Sequence, residues 1–173
     1  MPEERLRFNL DPDNSRSDET LTDALAKGGL WSHFVESDKR VVGGIAISGF
    51  NENPFLEKKV SLLQELSVGQ CQLFAICRAL AKASALRALG VTPVVVFDEV
   101  ISSLDVATGS TIYRIVDEEF TQKVHTVIII AHWLGNLHTK VGRDAVAFMA
   151  DGRLQEVRRD LVPSTFHQFP QTE

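Results

Sequence analysis

The alternation of helical stretches with short, almost wholly apolar runs predicts an α/β fold built on an open sheet. Two runs carry this expectation, residues 94–97 (VVVF) and 126–131 (TVIIIA). Neither shows the polar alternation of a half-buried strand, so each reads as a buried parallel strand, the second a central one covered on both faces. Apolar residues recur at helical spacing in 67–89 and again in 106–120. At the C-terminal end, segments 144–149 and 153–157 flank Asp151 and Gly152, which predicts a hairpin. No internal repeat or low-complexity stretch disturbs this pattern.

Composition sets the bounds. The chain has 173 residues, 44% of them hydrophobic, enough for one domain with its own core. Eighteen Lys and Arg against 23 Asp and Glu leave a net charge of −5, which offers no general attraction to nucleic acid or to an anionic membrane surface. No apolar run approaches the roughly eighteen residues that cross a bilayer. The start, Met1-Pro2-Glu3-Glu4-Arg5, lacks the order of a secretory signal, so the chain alone is expected to be soluble in the cytosol. Cys71 and Cys77 lie about 240° apart around the predicted helix, which excludes a bridge between them and suggests reduced, partly buried thiols.

In chain order, residues 5–10 are short and partly apolar, and Asp11, Pro12, Asp13 and Asn14 break them with a turn. Ser17, Asp18, Glu19 and Thr20 read as a helix start, with Leu21 and Leu25 inside; Gly28 and Gly29 end or kink that helix before Leu30, Trp31 and Phe34. Residues 41–50 admit either a strand or a loop. The spacing of Leu62, Leu63 and Leu66 predicts a helix over 56–66. The next helix begins at Ser67, runs through Leu73, Ile76, Cys77 and Leu80 to Leu89, and is stopped by Gly90. After the first strand comes a helix over 106–120 with Ile112, Ile115 and Val116 on its buried stripe. Residues 161–173 read as a frayed tail.

Two places have chemical potential. Ser67 can cap its helix, and Gly69 leaves the first turn bare enough for a phosphate to reach its amides. The strand at 94–97 delivers Asp98 and Glu99 at its carboxyl end, where paired acids suggest a metal ligand and a base. Alone, each has a plainer reading, as a helix cap and a solvated turn. His33, His125, His138 and His167 show no ligand spacing.

These residues resemble a family. Leu66-Ser67-Val68-Gly69-Gln70, followed by Gln72, Leu73 and Phe74 and by Arg78, Ala79 and Leu80, is similar to the LSGGQ signature helix of ATP-binding cassette (ABC) proteins. Val94 through Glu99 look like their Walker B strand with its catalytic glutamate, and Ser102, Ser103, Leu104 and Asp105 look like the D-loop. His132, after the second strand, resembles the switch histidine. The flanks RLRFNLDP (5–12) and DEEF (117–120) resemble the C-terminal nucleotide-binding domain of multidrug-resistance-associated transporters, the C subfamily, with a fungal flavour. The likeness covers roughly residues 5–157 and is weakest over 35–64. Departures are Val100 in place of Ala, Trp133 in place of the Arg beside the histidine, and a long connection over 81–93.

The resemblance implies a partial P-loop NTPase-type parallel sheet with a helical subdomain and a C-terminal β-hairpin. It implies a truncated nucleotide-binding domain over 1–160, divided into a helical subdomain with the signature helix at 17–90 and the Walker B, D-loop, H-loop and last hairpin at 91–160, then the tail at 161–173. Ser67, Val68, Gly69 and Gln70 would meet the γ-phosphate of an ATP held by a second nucleotide-binding domain in a head-to-tail dimer, with Ser103 and Asp105 at the same interface. Asp98 would hold Mg²⁺ through water, Glu99 would polarise the attacking water, and His132 would contact the γ-phosphate. Trp31 and Phe34 would either touch the transmembrane domains of a transporter or simply pack in the core. The place implied is the cytoplasmic side of a membrane, and the activity ATP-driven efflux of small molecules. Against activity in isolation, none of the 11 glycines is followed by Lys, so the Gly-Lys-Ser/Thr phosphate loop is missing from this sequence. The Q-loop glutamine and the aromatic that stacks on adenine are not found either. The alternatives are a non-catalytic half-domain acting in trans on a complete nucleotide-binding domain, or a gene fragment.

Overall fold

The computed structural model describes residues 4–39, 53–63, 65–100, 104–123, 125–131, 140 and 143–159. The helical part comes first: α1 (Leu6–Leu10), α2 (Asp18–Lys27), α3 (Trp31–Lys39), a single 3-10 turn (Val60–Leu62) and the long α4 (Val68–Ala88). Ser17 caps α2, its hydroxyl accepting the Thr20 amide, while Asp18 and Glu19 place negative charge at the positive helix end. The expected break falls at Gly28, and a separate helix, α3, follows it. Gly90 ends α4 with φ +76°; its amide bonds to the Arg87 carbonyl and the Val91 amide to that of Leu86, the paired bonds of a Schellman stop.

Helix α4 is the axis of the helical part, burying Phe74, Ile76, Cys77, Leu80, Ala81 and Ala83. Leu21 and Leu25 of α2 and Phe34 of α3 join them in one core. Phe34 sits between the rings of Phe55 and Phe74, with centroids 6.2 and 6.3 Å away, and Trp31 meets Phe55 edge-on at 5.5 Å. Of the two roles open to Phe34, core packing is therefore what it performs, since it is 1% exposed. Charges brace the N-terminal end: the fully buried Asp11 pairs with Arg16, and Arg7 joins Asp18 to Glu57.

The remaining elements are β1 (Val94–Asp98), α5 (Val106–Val116), a π-helical turn (Asp117–Thr121), β2 (Thr126–Ile130), and the pair β3 (Val146–Ala150) and β4 (Arg153–Arg158). Strands β1 and β2 pair in parallel, Val94 beside Thr126 and Asp98 beside Ile130. Phe97 is buried against Phe120, and Val95, Val127 and Ile129 pack on the same core. Strands β3 and β4 form the expected antiparallel hairpin, and Asp151 and Gly152 both take positive φ, 50° and 69°, as its tight turn requires.

Two expectations are corrected. The strands at 94–97 and 126–131 are covered on one face rather than two: Val94, Val96, Ile128 and Ile130 are 47–59% exposed. Their uniformly apolar composition gave no hint of this, because both faces of each strand carry Val or Ile. Nor do residues 56–66 form a helix; among those described, only one 3-10 turn appears. Their backbone bonds go to the N-terminal stretch instead, Leu6 N–H to the Lys58 carbonyl, Arg7 N–H to Leu56 and Val60 N–H to Glu4. Those long-range partners outweigh a marginal local helix. The predicted helix over 106–120 also changes character at Asp117, where the wider π turn takes over. The segments 41–50 and 161–173 lie outside the described residues.

Candidate functional site at the start of the signature helix

Ser67 stands at the N-cap of α4 with extended backbone. Its hydroxyl accepts the Gln70 amide at 3.2 Å, and its own amide donates to Gln70 Oε1 at 2.9 Å, a reciprocal capping box. Two of the first-turn donors are thereby satisfied. Val68 and Gly69, the next amides, have no acceptor within the helix, because each lies too early for a carbonyl four residues back. Ser67 and Val68 lie at the surface and Gly69 is half-buried, so the positive end of a long helix is accessible but partly covered at Gly69.

Gly69 has a second reason to be glycine. A Cβ there would lie 3.0 Å from Thr108 Cγ2 and 3.5 Å from Leu104 Cδ2, so the first turn of α4 rests on the first turn of α5. The expectation that the bare turn merely admits a phosphate is thus incomplete: its open side is partly filled by α5. Thr108 is fixed in turn by Asp105, which caps α5 by accepting the Thr108 amide at 2.9 Å and its hydroxyl at 2.7 Å. The Thr108 hydroxyl, followed by its amide, holds the Asp105 carboxyl below its ordinary range. Both carboxylate oxygens therefore act within their own helix start.

Asp98 ends β1 and Glu99 follows it, both exposed. Glu99 has φ +48°, a left-handed conformation uncommon for a residue with a side chain, and its amide donates to the Ile130 carbonyl at 3.0 Å. That bond fastens the turn to the neighbouring strand and fixes where the acidic pair leaves the sheet. Six residues past Glu99 the chain reaches Asp105 and the α5 start that touches Gly69. The acidic turn is thus close in sequence to the start of α5, and the start of α5 is in contact with the start of α4. Ser103 and His132 lie outside the described residues.

Among the described residues, no group of three or more His, Cys, Asp or Glu side chains is placed to hold a metal. An exposed acidic pair still suits Mg²⁺, which keeps several waters and takes one or two carboxylates together with substrate phosphates. Elsewhere, Cys71 is exposed and Cys77 buried, and both are free thiols; burial pushes the Cys77 thiol up to about 12. The expected partial burial of both is therefore replaced by one of each kind. Sequence reasoning missed His33, whose Nδ1 lies 3.1 Å from Gln70 Nε2. Nothing local could have signalled a contact across 37 positions.

No protein-family model matches the chain. The fold does have a counterpart among solved structures: a bacterial Atm1-family ABC exporter, with ATP bound in that protein, superposes with a TM-score of 0.59 and 20% identity, over 90% of this chain and 23% of that one. That likeness defines the class of fold as one shared with part of an ABC exporter: a parallel strand pair, an antiparallel pair and a helical part. Sequence carries the assignment further. ABC transporter C family member 9 of Arabidopsis thaliana is 32% identical over 151 residues, and an ABC-type transporter of Gibberella zeae is 33% identical over the same length. Putative C family member 15 of Arabidopsis thaliana is 32% identical as well. The chain belongs to the C family of ABC transporters. The matches span 87% of the chain but only 8 to 12% of those relatives.

Proposed function

We propose that these residues form the signature and Walker B portion of an ABC nucleotide-binding domain, which serves ATP-driven export of small molecules when joined to its missing parts. The observation that carries this reading is the start of α4, where a capping box uses two donors and leaves the Val68 and Gly69 amides without an acceptor inside the helix, at a partly exposed helix end. Oriented amides and a helix end worth roughly half an elementary charge would offset a γ-phosphate without moving a side chain. The nucleotide would be held by a second nucleotide-binding domain, since this sequence has no Gly-Lys-Ser/Thr loop of its own. Mg²⁺, where bound, would neutralise phosphate charge; Asp98 would orient its waters. Glu99, held at the strand end by its backbone bond to Ile130, would polarise the attacking water, and His132 would meet the same phosphate. Ser103 and Asp105 would line the approach of the partner domain. Among the described residues no helix is long and apolar enough to cross a membrane. The membrane part would therefore be contributed by transmembrane domains outside the described residues, with this domain on the cytoplasmic side.

The same observation favours action in trans. The 173-residue chain should show no Mg-ATP turnover above contaminant level, and Glu99→Gln should change nothing in that assay. Mixed with a complete nucleotide-binding domain whose own glutamate is disabled, it should sediment as a heterodimer with Mg-ATP and as separate chains without it. Turnover by the lone chain that Glu99→Gln abolishes would overturn the trans reading. Failure to sediment together at any nucleotide concentration would overturn the shared site.

A further inference from the structure

The signature turn is also tied to α3, through a hydrogen bond between the Gln70 and His33 side chains. We infer that His33 is a positioning residue for the phosphate-facing turn, setting the orientation of the Gln70 amide and so deciding which backbone amides of α4 remain open to an anion. The inference rests on the proposed nucleotide site and adds a device that orients it.

The geometry is a relay of donors and acceptors. Gln70 carries one acceptor and one donor group at the end of its side chain, and its two neighbours ask for opposite ones. The Ser67 amide can only donate, so it needs Oε1. The group at 3.1 Å on the other side is the imidazole Nδ1, which can accept the Nε2 proton when His33 carries its own proton on Nε2. In that tautomer both bonds are made at once, and Gln70 has one orientation. Reversing the amide would set an N–H₂ group against the Ser67 N–H and break the capping box. The Gln70 side chain is thereby occupied on both ends, which leaves Val68 and Gly69 rather than Gln70 to meet a phosphate. This refines the sequence expectation, in which Gln70 was itself a phosphate contact.

His33 is well placed to hold that position. The next residue, Phe34, is 1% exposed and meets Phe74 edge-on, one helical turn beyond Gln70. The His33 ring itself lies edge-on to Phe34 at 5.6 Å. Consecutive residues of α3 thus grip consecutive turns of α4, one through a hydrogen bond and the other through an aromatic contact. A shift of α3 along α4 would be felt at the Ser67 amide.

The test uses the full chain and two substitutions. Asn places a carbonyl oxygen close to where His Nδ1 stands, so His33→Asn keeps an acceptor for Gln70, whereas His33→Leu removes it. Ser67 amide hydrogen exchange, read by NMR, should quicken about fivefold to tenfold in His33→Leu, the factor that one net hydrogen bond is worth. In His33→Asn it should stay within about twofold of the parent for the same reason. The parent spectrum should show the His33 proton on Nε2 and not on Nδ1. Unchanged Ser67 exchange in His33→Leu, equal acceleration in both variants, or the opposite tautomer would each overturn the assignment. Nucleotide-dependent sedimentation with a complete nucleotide-binding domain, measured on the same three proteins, separates the two ideas. Docking that survives His33→Leu unchanged counts against His33, while a parent chain that never docks counts against the nucleotide site and leaves the exchange result standing.

Discussion

At Gly28 the backbone φ of −73° would suit any residue, and the demand for glycine is steric: an added Cβ would lie 2.2 Å from Cys77 Sγ. Cys77 is fully buried in α4, so its Sγ would have to be displaced within the core. Gly28→Ala should therefore destabilise the chain by about 1–3 kcal/mol through overpacking, measured by urea unfolding. Pairing it with Cys77→Ala should recover part of that loss, and a Gly28→Ala chain as stable as the parent would show that α2 and α4 do not meet there. Residue-level chemistry was unevenly legible in the sequence. Ser67 and Gln70 lie three apart, so their mutual capping follows from local geometry, as does Asp105 with Thr108. His33 and the left-handed turn at Glu99 were hidden, since one depends on a distant helix and the other on a bond to β2.

Between elements, the contact of α4 with α5 turns on Gly69. Alanine there gains about 1 kcal/mol of helix propensity, yet its Cβ meets a Thr108 methyl at 3.0 Å whose rotamer Asp105 holds. The expected outcome is no net stabilisation from Gly69→Ala alone. Gly69→Ala with Thr108→Ser, which deletes that methyl and keeps the hydroxyl, should be more stable than Thr108→Ser by about 1 kcal/mol in the same unfolding assay. Equal stability of those two chains would remove the packing argument. The π turn is tied down differently. Lys140, first, then Gln122 and Arg143 bond the Asp117 carboxylate and hold it down at about 2. Because the folded value lies below the ordinary 3.8, this contribution is present above 3.8 and is lost as pH falls through about 2. The groups are largely exposed, so the effect should be under about 1 kcal/mol. Asp117→Asn should flatten the acid limb of the stability profile in that window, and an unaltered limb would show that the bonds contribute nothing.

For the whole molecule, the sheet is the informative part. Element order, both helix stops and the hairpin were readable from periodicity, glycine placement and the Asp-Gly turn. Which face of β1 and β2 is covered was not, because period-two patterning vanishes when both faces are apolar. The structure predicts unequal costs on the two faces. Phe97→Ala should cost about 3–5 kcal/mol, as a large buried side chain does, while Val96→Thr and Ile128→Thr should each cost less than about 1 kcal/mol. Similar losses on both faces, by chemical denaturation, would place a cover over Val96 and Ile128. The central claim, however, concerns two backbone amides. The most direct measurement is the NMR perturbation of Val68 and Gly69 N–H on adding a hydrolysis-deficient, complete nucleotide-binding domain with and without Mg-ATP. Both amides should shift with the nucleotide-loaded domain and stay put with the empty one. Movement independent of nucleotide, or amides indifferent to both forms, would contradict it.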